Sequence, residues 1–291
     1  MTYRVRGVPV DGGDLAVGVW GDEGPLVVAA HGITSHHLGY GLVGPDLGAD
    51  HRFVAADLRG RGGSRHLPPP YGIDRHAADL AEVVKAYGGS AVVVGHSMGA
   101  WVAIALARTC PMLVERLVLI DGGPPLPPPP GVGATPTPEE IEAAVGQTVG
   151  AAYARLSMTF PDPAAYRELW RAHPALRDWN PAMVAYADYD LVREGDAYRA
   201  ACVLAAAVRD ARDLYALPGG PGPVALPVPA VFLRAERGMF DQPEPMYAPG
   251  EAARWLPGVE ERTVAGTNHY TIVLSPAAAA AVAAAVRGQD V

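Results

Sequence analysis

Short apolar runs and helix-period segments alternate through the first part of the chain. Arg4–Val10 and Leu15–Trp20 flank Asp11-Gly12-Gly13 and predict a hairpin. Leu26–Ala30 is apolar throughout, as a strand buried on both faces must be. Arg52–Ala56 is a second such run and ends in Asp57. Between Asp74 and Tyr87 the apolar residues Leu80, Val83 and Val84 recur at helical spacing, with Asp74 placed to cap the start. The run Ala91–Val94 follows, then an Ala-rich helical segment from Ala100 to Arg108, then the strand-like Arg116–Ile120 ending in Asp121. Buried strands alternating with helices predict a mostly parallel sheet with helices on both faces, the α/β class.

The texture then changes. Residues 124–138 and 217–229 are rich in Pro and Gly and cannot form regular structure. Between them the pattern is helical without a convincing strand. Glu139–Leu156 and Asp196–Leu214 are the clearest helices. This predicts an inserted helical cap over residues 124–226, hinged by the two breaks, with the core formed by 1–123 and 227–291. The insert carries Tyr153, Tyr166, Trp170, Trp179, Tyr186, Tyr189, Tyr198 and Tyr215. Each is first of all a packing residue, but some of them are expected to face a substrate cavity. Afterwards Ala230–Arg234 and Glu260–Val264 read as strands, Glu244–Trp255 contains a helix, and Pro276–Val286 is the last helix.

Composition narrows the class. The chain has 291 residues, enough for one large domain or a domain with an insertion, and 49% hydrophobic residues, as a globular core requires. A net charge of -8 without a basic run argues against nucleic acid and anionic membranes as partners. Cys110 and Cys202 have no paired spacing, so neither a disulfide framework nor a thiolate metal site is expected. The N-terminal residues lack an apolar signal core, and Ala277–Val286 is too short to span a bilayer, which makes a cytoplasmic location the expectation. Basic charge rests on Arg, with Lys85 the sole lysine, a bias of GC-rich bacterial genomes. Composition sets no oligomeric state.

The chemistry is concentrated at Gly95-His96-Ser97-Met98-Gly99, between a buried strand and a helix. A G-x-S-x-G in that setting is the pattern of a nucleophile elbow. The tight turn strains the serine backbone, and side chains at the flanking positions would collide with neighbouring elements. A serine hydroxyl is a weak nucleophile and needs a base and an acid that orients the base. His269, in Gly266-Thr267-Asn268-His269-Tyr270 after the last strand, is the expected base. His51, His66, His76 and His173 fall in loops or on exposed helices, and the His96 side chain should point away from Ser97. The oxyanion needs two N–H donors, expected from Met98 at the start of the elbow helix and Ile33 in Ala30-His31-Gly32-Ile33. His31, His36 and His37 could form a metal cluster, but carboxylate and cysteine ligands are missing nearby, so no metal is expected.

With these pieces in place the chain resembles the α/β-hydrolase superfamily, in its lidded, lipase- and esterase-like branch. The resemblance rests on His31-Gly32, on Asp57-Leu58-Arg59-Gly60-Arg61-Gly62-Gly63-Ser64, on the elbow and on the late His269. It implies an eight-stranded, mostly parallel sheet, a Ser–acid–His order along the chain, and a bracing role for Asp57 and Arg59. The acid departs from the common pattern. Gly238 falls where most relatives carry an Asp, leaving Asp121, Asp241 and Glu236. Asp121 is favoured, because some relatives, including a subgroup of haloalkane dehalogenases, place the acid at that strand end. A serine rather than an aspartate at the elbow disfavours the dehalogenase and epoxide hydrolase branches. The expected activity is hydrolysis of a small or medium carboxylic ester or lactone through an acyl-enzyme, without metal or organic cofactor. Thioester or amide hydrolysis, a cyanohydrin-type lyase on the same residues, and a ligand receptor are the alternatives.

Overall fold

The computed structural model describes residues 2–127, 137, 140 and 153–289, apart from 216, 219 and 221. The expected helix over 139–156 lies largely outside the described residues. Eight strands form one sheet: β1 (Tyr3–Val10), β2 (Gly13–Trp20), β3 (Leu26–Ala30), β4 (Arg52–Ala56), β5 (Ala91–His96), β6 (Val114–Ile120), β9 (Ala230–Ala235) and β10 (Glu260–Val264). Their spatial order is β1-β2-β4-β3-β5-β6-β9-β10. β1 and β2 pair antiparallel, as does β2 with β4, and all other pairs are parallel.

The α-helices of known bounds among the described residues are α1 (Val43–Leu47), α2 (Ile73–Tyr87), α3 (Met98–Thr109), α4 (Pro163–Arg171), α5 (Pro181–Tyr189), α6 (Leu204–Ala211), α7 (Glu251–Trp255), α8 (Thr271–Leu274) and α9 (Pro276–Arg287). Successive strand residues alternate between two cores. Val28, Ala30, Val54, Val93 and Leu119 join α2, α3 and α7 on one face. Val27, Ala29, Phe53, Val94 and Ile120 join α1, α8 and α9 on the other. This is why Leu26–Ala30 and Ala91–Val94 in the central strands are apolar at every position.

The segment between β6 and β9 differs from its sequence reading in one respect. A two-stranded hairpin, β7 (Leu191–Glu194) and β8 (Ala197–Ala200), occupies part of the region expected to be helical, and helix α6 starts only at Leu204. The hairpin turns at Gly195, whose φ is 62°. Its strands pair with each other and, through Tyr198, with the single residue Phe160, so no long apolar run marks them. Of the expected aromatics, Tyr166, Trp170 and Tyr186 are buried in the second core.

Two further expectations are corrected. Asp74 lies in the first turn of α2 but does not cap it. The Ile73 amide donates instead to Asp213 Oδ2 at 3.0 Å, a partner 140 residues away. His76 is not exposed: it lies on the buried face of α2, with Nε2 2.8 Å from Asp210 Oδ2 on α6. Among the described residues, no helix is long and apolar enough to cross a membrane.

Candidate active site

The elbow is built by close approach. β5 ends at His96, α3 begins at Met98, and Ser97 between them has φ 53° and ψ -126°. A Cβ on Gly95 would strike the Gly99 carbonyl, and one on Gly99 would strike the Ala30 carbonyl, so both glycines are required. The Ser97 amide donates to Ile120 O at 2.9 Å, which ties the elbow to the end of β6. Directly beyond it, a Cβ on Gly122 would strike the Ser97 backbone. The end of β6 is therefore pressed against the elbow.

That contact decides which acid reaches the histidine. Asp121 sits between those two tie points, with φ 44° and its amide bonded to Leu233 O at 2.8 Å. Its Oδ2 lies 2.7 Å from His269 Nδ1, and its Oδ1 accepts the Ala235 amide at 3.1 Å. On the other side of the imidazole, Nε2 lies 3.1 Å from Ser97 Oγ. With Nδ1–H donating to the carboxylate, Nε2 is left with a lone pair facing the hydroxyl. Asp121 and His269 are buried, and Ser97 is partly exposed.

The other two acid candidates are engaged elsewhere. Asp241 Oδ1 accepts from Arg237 Nε at 2.8 Å and from Asn268 Nδ2 at 3.2 Å. Glu236 Oε2 accepts the Gly266 amide at 2.7 Å. A Cβ on Gly238 would strike the Glu244 backbone carbonyl as well as the Gln242 side chain, so the position at which the resemblance would put the acid has no room for one. Asp241→Asn is expected to keep kcat/KM on a hydrolysed ester within about tenfold of wild type, because only a support of the histidine loop is touched. Parallel kinetics of this variant and Asp121→Asn check it.

The loop that carries His269 is braced by residues that the sequence reading did not single out. Asn268 Oδ1 accepts the amides of Tyr270 at 3.1 Å and Thr271 at 3.0 Å, and its Nδ2 donates to Ala175 O at 3.0 Å. The signal was local: an Asn three residues before Thr271, at the start of a helix, is an Asx cap. His96 Nε2 donates to the His269 carbonyl at 2.9 Å, and the centroids of the two rings lie 4.9 Å apart.

The elements that carry the two expected oxyanion donors both meet the nucleophile. Met98 is the first residue of α3, where an amide has no intrahelical acceptor and the helix dipole is positive. Across from it, a Cβ on Gly32 would lie 3.2 Å from Ser97 Cβ, so the loop after β3 runs against the serine. The Gly32 carbonyl accepts from His31 Nδ1 at 2.7 Å and from the Ser35 amide at 3.0 Å. In a trans peptide the N–H points opposite to the carbonyl, so fixing Gly32 O also fixes the Ile33 N–H.

His31, His36 and His37, within seven residues of one another, are held by separate partners. His31 Nε2 accepts the Leu58 amide at 2.9 Å. His36 Nε2 donates to Tyr186 O at 3.0 Å, and His37 Nδ1 bonds Asp57 Oδ1 at 2.7 Å. Among the described residues, no group of three His, Cys, Asp or Glu could hold a metal. Asp57 also accepts the Gly63 amide and the Tyr189 hydroxyl, each at 2.7 Å, so it braces its own loop and the insert together. Arg59 grips Asp79 through Nε at 3.0 Å and Nη2 at 3.1 Å.

Burial holds His31 and His36 neutral, each pushed down from 6.5 to about 3. His96 is lowered for the same reason. The unfolded chain takes up protons on His31 and His36 below about 6.5, whereas the folded chain does not until about 3. Stability is therefore expected to fall as pH drops through that window, by about 1.4 kcal/mol per pH unit for each imidazole that the unfolded chain protonates. Urea midpoints at pH 7, 6, 5 and 4 check this, and a midpoint constant from pH 6.5 to 4.5 would contradict it.

Fold and site together define the comparison with known proteins. The model of the alpha/beta hydrolase family matches residues 27–285. The chain belongs to the alpha/beta hydrolase family. A serine hydrolase-like protein of Danio rerio is 36% identical over 118 residues, 39% of this chain and 36% of that protein. An N-formylmaleamate deformylase of Pseudomonas putida is 36% identical over 124 residues, 42% of this chain and 44% of the deformylase. The chain thus spans less than half the length of these two relatives. Among solved structures, an E-2-(acetamidomethylene)succinate hydrolase superposes with a TM-score of 0.75 at 24% identity, covering 94% of this chain and 95% of that one. A thioesterase domain from the curacin biosynthetic pathway superposes with a TM-score of 0.74 at 23% identity, covering 99% of this chain and all of that one. These two likenesses establish the fold.

Proposed function

We propose that this alpha/beta hydrolase family member is a serine hydrolase that cleaves a small or medium carboxylic ester or lactone through an acyl-enzyme. The observation that carries the reading is the unbroken chain of hydrogen bonds from Asp121 through His269 to Ser97. Ser97 attacks the carbonyl carbon while His269 Nε2 takes its proton, and Asp121 stabilises the imidazolium. The Met98 and Ile33 amides hold the oxyanion. His269 then passes the proton to the leaving alkoxide, and the carbonyl re-forms as an acyl-Ser97 ester. Water, deprotonated by the same nitrogen, releases the acid. Residues 124–226 act as a cap that bounds the acyl and alcohol pockets.

A second reading keeps the residues and changes the leaving group. The deformylase and the (acetamidomethylene)succinate hydrolase among the similar proteins, together with the thioesterase domain, favour amide or thioester substrates as its nearest variants. A panel of matched esters, lactones, thioesters and amides of graded acyl size separates the two. The expected order places esters and lactones highest in kcat/KM. An amide or thioester preference moves the substrate class, and no turnover of any acyl derivative overturns the hydrolase reading.

A further inference from the structure

The loop Gly32–Ser35 is held at more than its first carbonyl. Ile33 O accepts from Arg61 Nε at 2.9 Å, and Thr34 O accepts from Arg155 Nη2 at 2.9 Å. Both guanidinium groups are themselves anchored to carboxylates of the segment between β6 and β9. Arg61 Nη1 lies 2.6 Å from Asp210 on α6. Arg155 Nη1 lies 2.7 Å from Asp190 Oδ2 and 2.8 Å from the Tyr166 hydroxyl, which also bonds Asp190. The Arg155 guanidinium sits 4.8 Å above the Trp170 ring. Its neighbour Leu156 belongs to a small apolar cluster with Cys202 and Ala207, and the Ile33 side chain packs on that cluster.

Arg155 therefore gathers α4 and the end of α5 around one buried charge and presents its remaining donors to the backbone beside the nucleophile. We propose that Arg155 is a positioning residue that couples the seating of the insert to the assembly of the oxyanion site. The inference rests on the hydrolase reading of Ser97. With the insert seated, the fixed Thr34 carbonyl sets the Ser35 amide, whose bond to Gly32 O in turn sets the Ile33 peptide. With the insert displaced, the loop loses the brace on Thr34 and the Asp210 anchor behind Arg61, and its peptides are free to rotate. Loss of one oxyanion donor costs about 10²–10³-fold in kcat, so loosening it should cost less.

The test uses Arg155→Gln in an Asp190→Asn background, which avoids an unpaired buried carboxylate, beside Arg155→Lys. Expected for the double variant is a fall in kcat of about 10- to 100-fold with KM within about threefold. The inhibition constant for phenylboronic acid should rise by the same factor as kcat falls, because its tetrahedral adduct on Ser97 uses the oxyanion donors. Arg155→Lys should recover part of both. A folded double variant with unchanged kcat and boronate affinity overturns the coupling, and so does a rise confined to KM. Native-state hydrogen exchange on the wild type at low urea needs no variant. Amides of residues 33–36 and of α4 should share one opening transition, and independent opening overturns the proposal. Absence of turnover of any acyl derivative by the wild type would instead count against the hydrolase reading, and the exchange result stands apart from it.

Discussion

Ser97→Ala lowers kcat by about four to six orders of magnitude against any ester that the wild type hydrolyses, while KM changes little. The size follows from what remains. The Met98 and Ile33 amides still polarise a bound carbonyl, and such donors supply about 3–4 kcal/mol each. No covalent path survives, because His269 would face a methyl group where the hydroxyl lies at 3.1 Å. The fold should be unaffected, since alanine meets the same left-handed backbone at φ 53° and the tie from the residue-97 amide to Ile120 O is retained. Paired kinetics and thermal melts check both halves. Wild-type turnover in the variant would end the nucleophile assignment.

Asp121→Asn should lower kcat by about 10⁴-fold, against the small loss expected for Asp241→Asn. The geometry gives the reason. Oδ1 of residue 121 must remain an acceptor for the Ala235 amide, so the asparagine oxygen takes that place and its NH2 faces His269 Nδ1. A donor there forces the imidazole proton onto Nε2. The nitrogen facing Ser97 then carries a proton and cannot take another. The defect is one of tautomer rather than of placement, so KM should hold and added salt should not restore the rate. Equal small losses in the two variants would remove Asp121 from its role.

Those two positions also show what a sequence does and does not carry. Ser97 is legible because an elbow is local: strand, glycine, serine, glycine and helix lie within a few residues, and collisions with the Gly99 and Ala30 carbonyls enforce them. His269 is legible from its place after the last strand. The choice among Asp121, Asp241 and Glu236 is not local. It depends on β6 lying between β5 and β9, which presses Gly122 against the elbow and turns Asp121 toward the histidine. Nearness in sequence favours Asp241 for His269 no more than it does Glu236, and Arg237 and Asn268 occupy Asp241.

The same rule accounts for the misreadings. His76 is polar and sits on a helix, so it reads as exposed, and its partner Asp210 is 134 residues away. Asp74 has the residue type of a cap, but Asp213 takes that place from another helix. The β7–β8 hairpin has four-residue strands and a short turn, too little alternation to outweigh the helical pattern around it. The braces on the oxyanion loop are long-range by nature, because Arg155 meets Thr34 across 121 residues. The sheet and the nucleophile are written in short windows, whereas the acid and its supports are written in topology.

The central claim is that Ser97 carries the acyl group between two half-reactions. Mixing the protein with p-nitrophenyl acetate, quenching in acid within the first turnover and mapping peptides by mass spectrometry tests it most directly. An added acetyl mass is expected on the peptide that contains Ser97, lost on longer incubation as product accumulates and absent from Ser97→Ala. Steady turnover at the wild-type rate by Ser97→Ala, with no acyl mass on that peptide at any time, would contradict it.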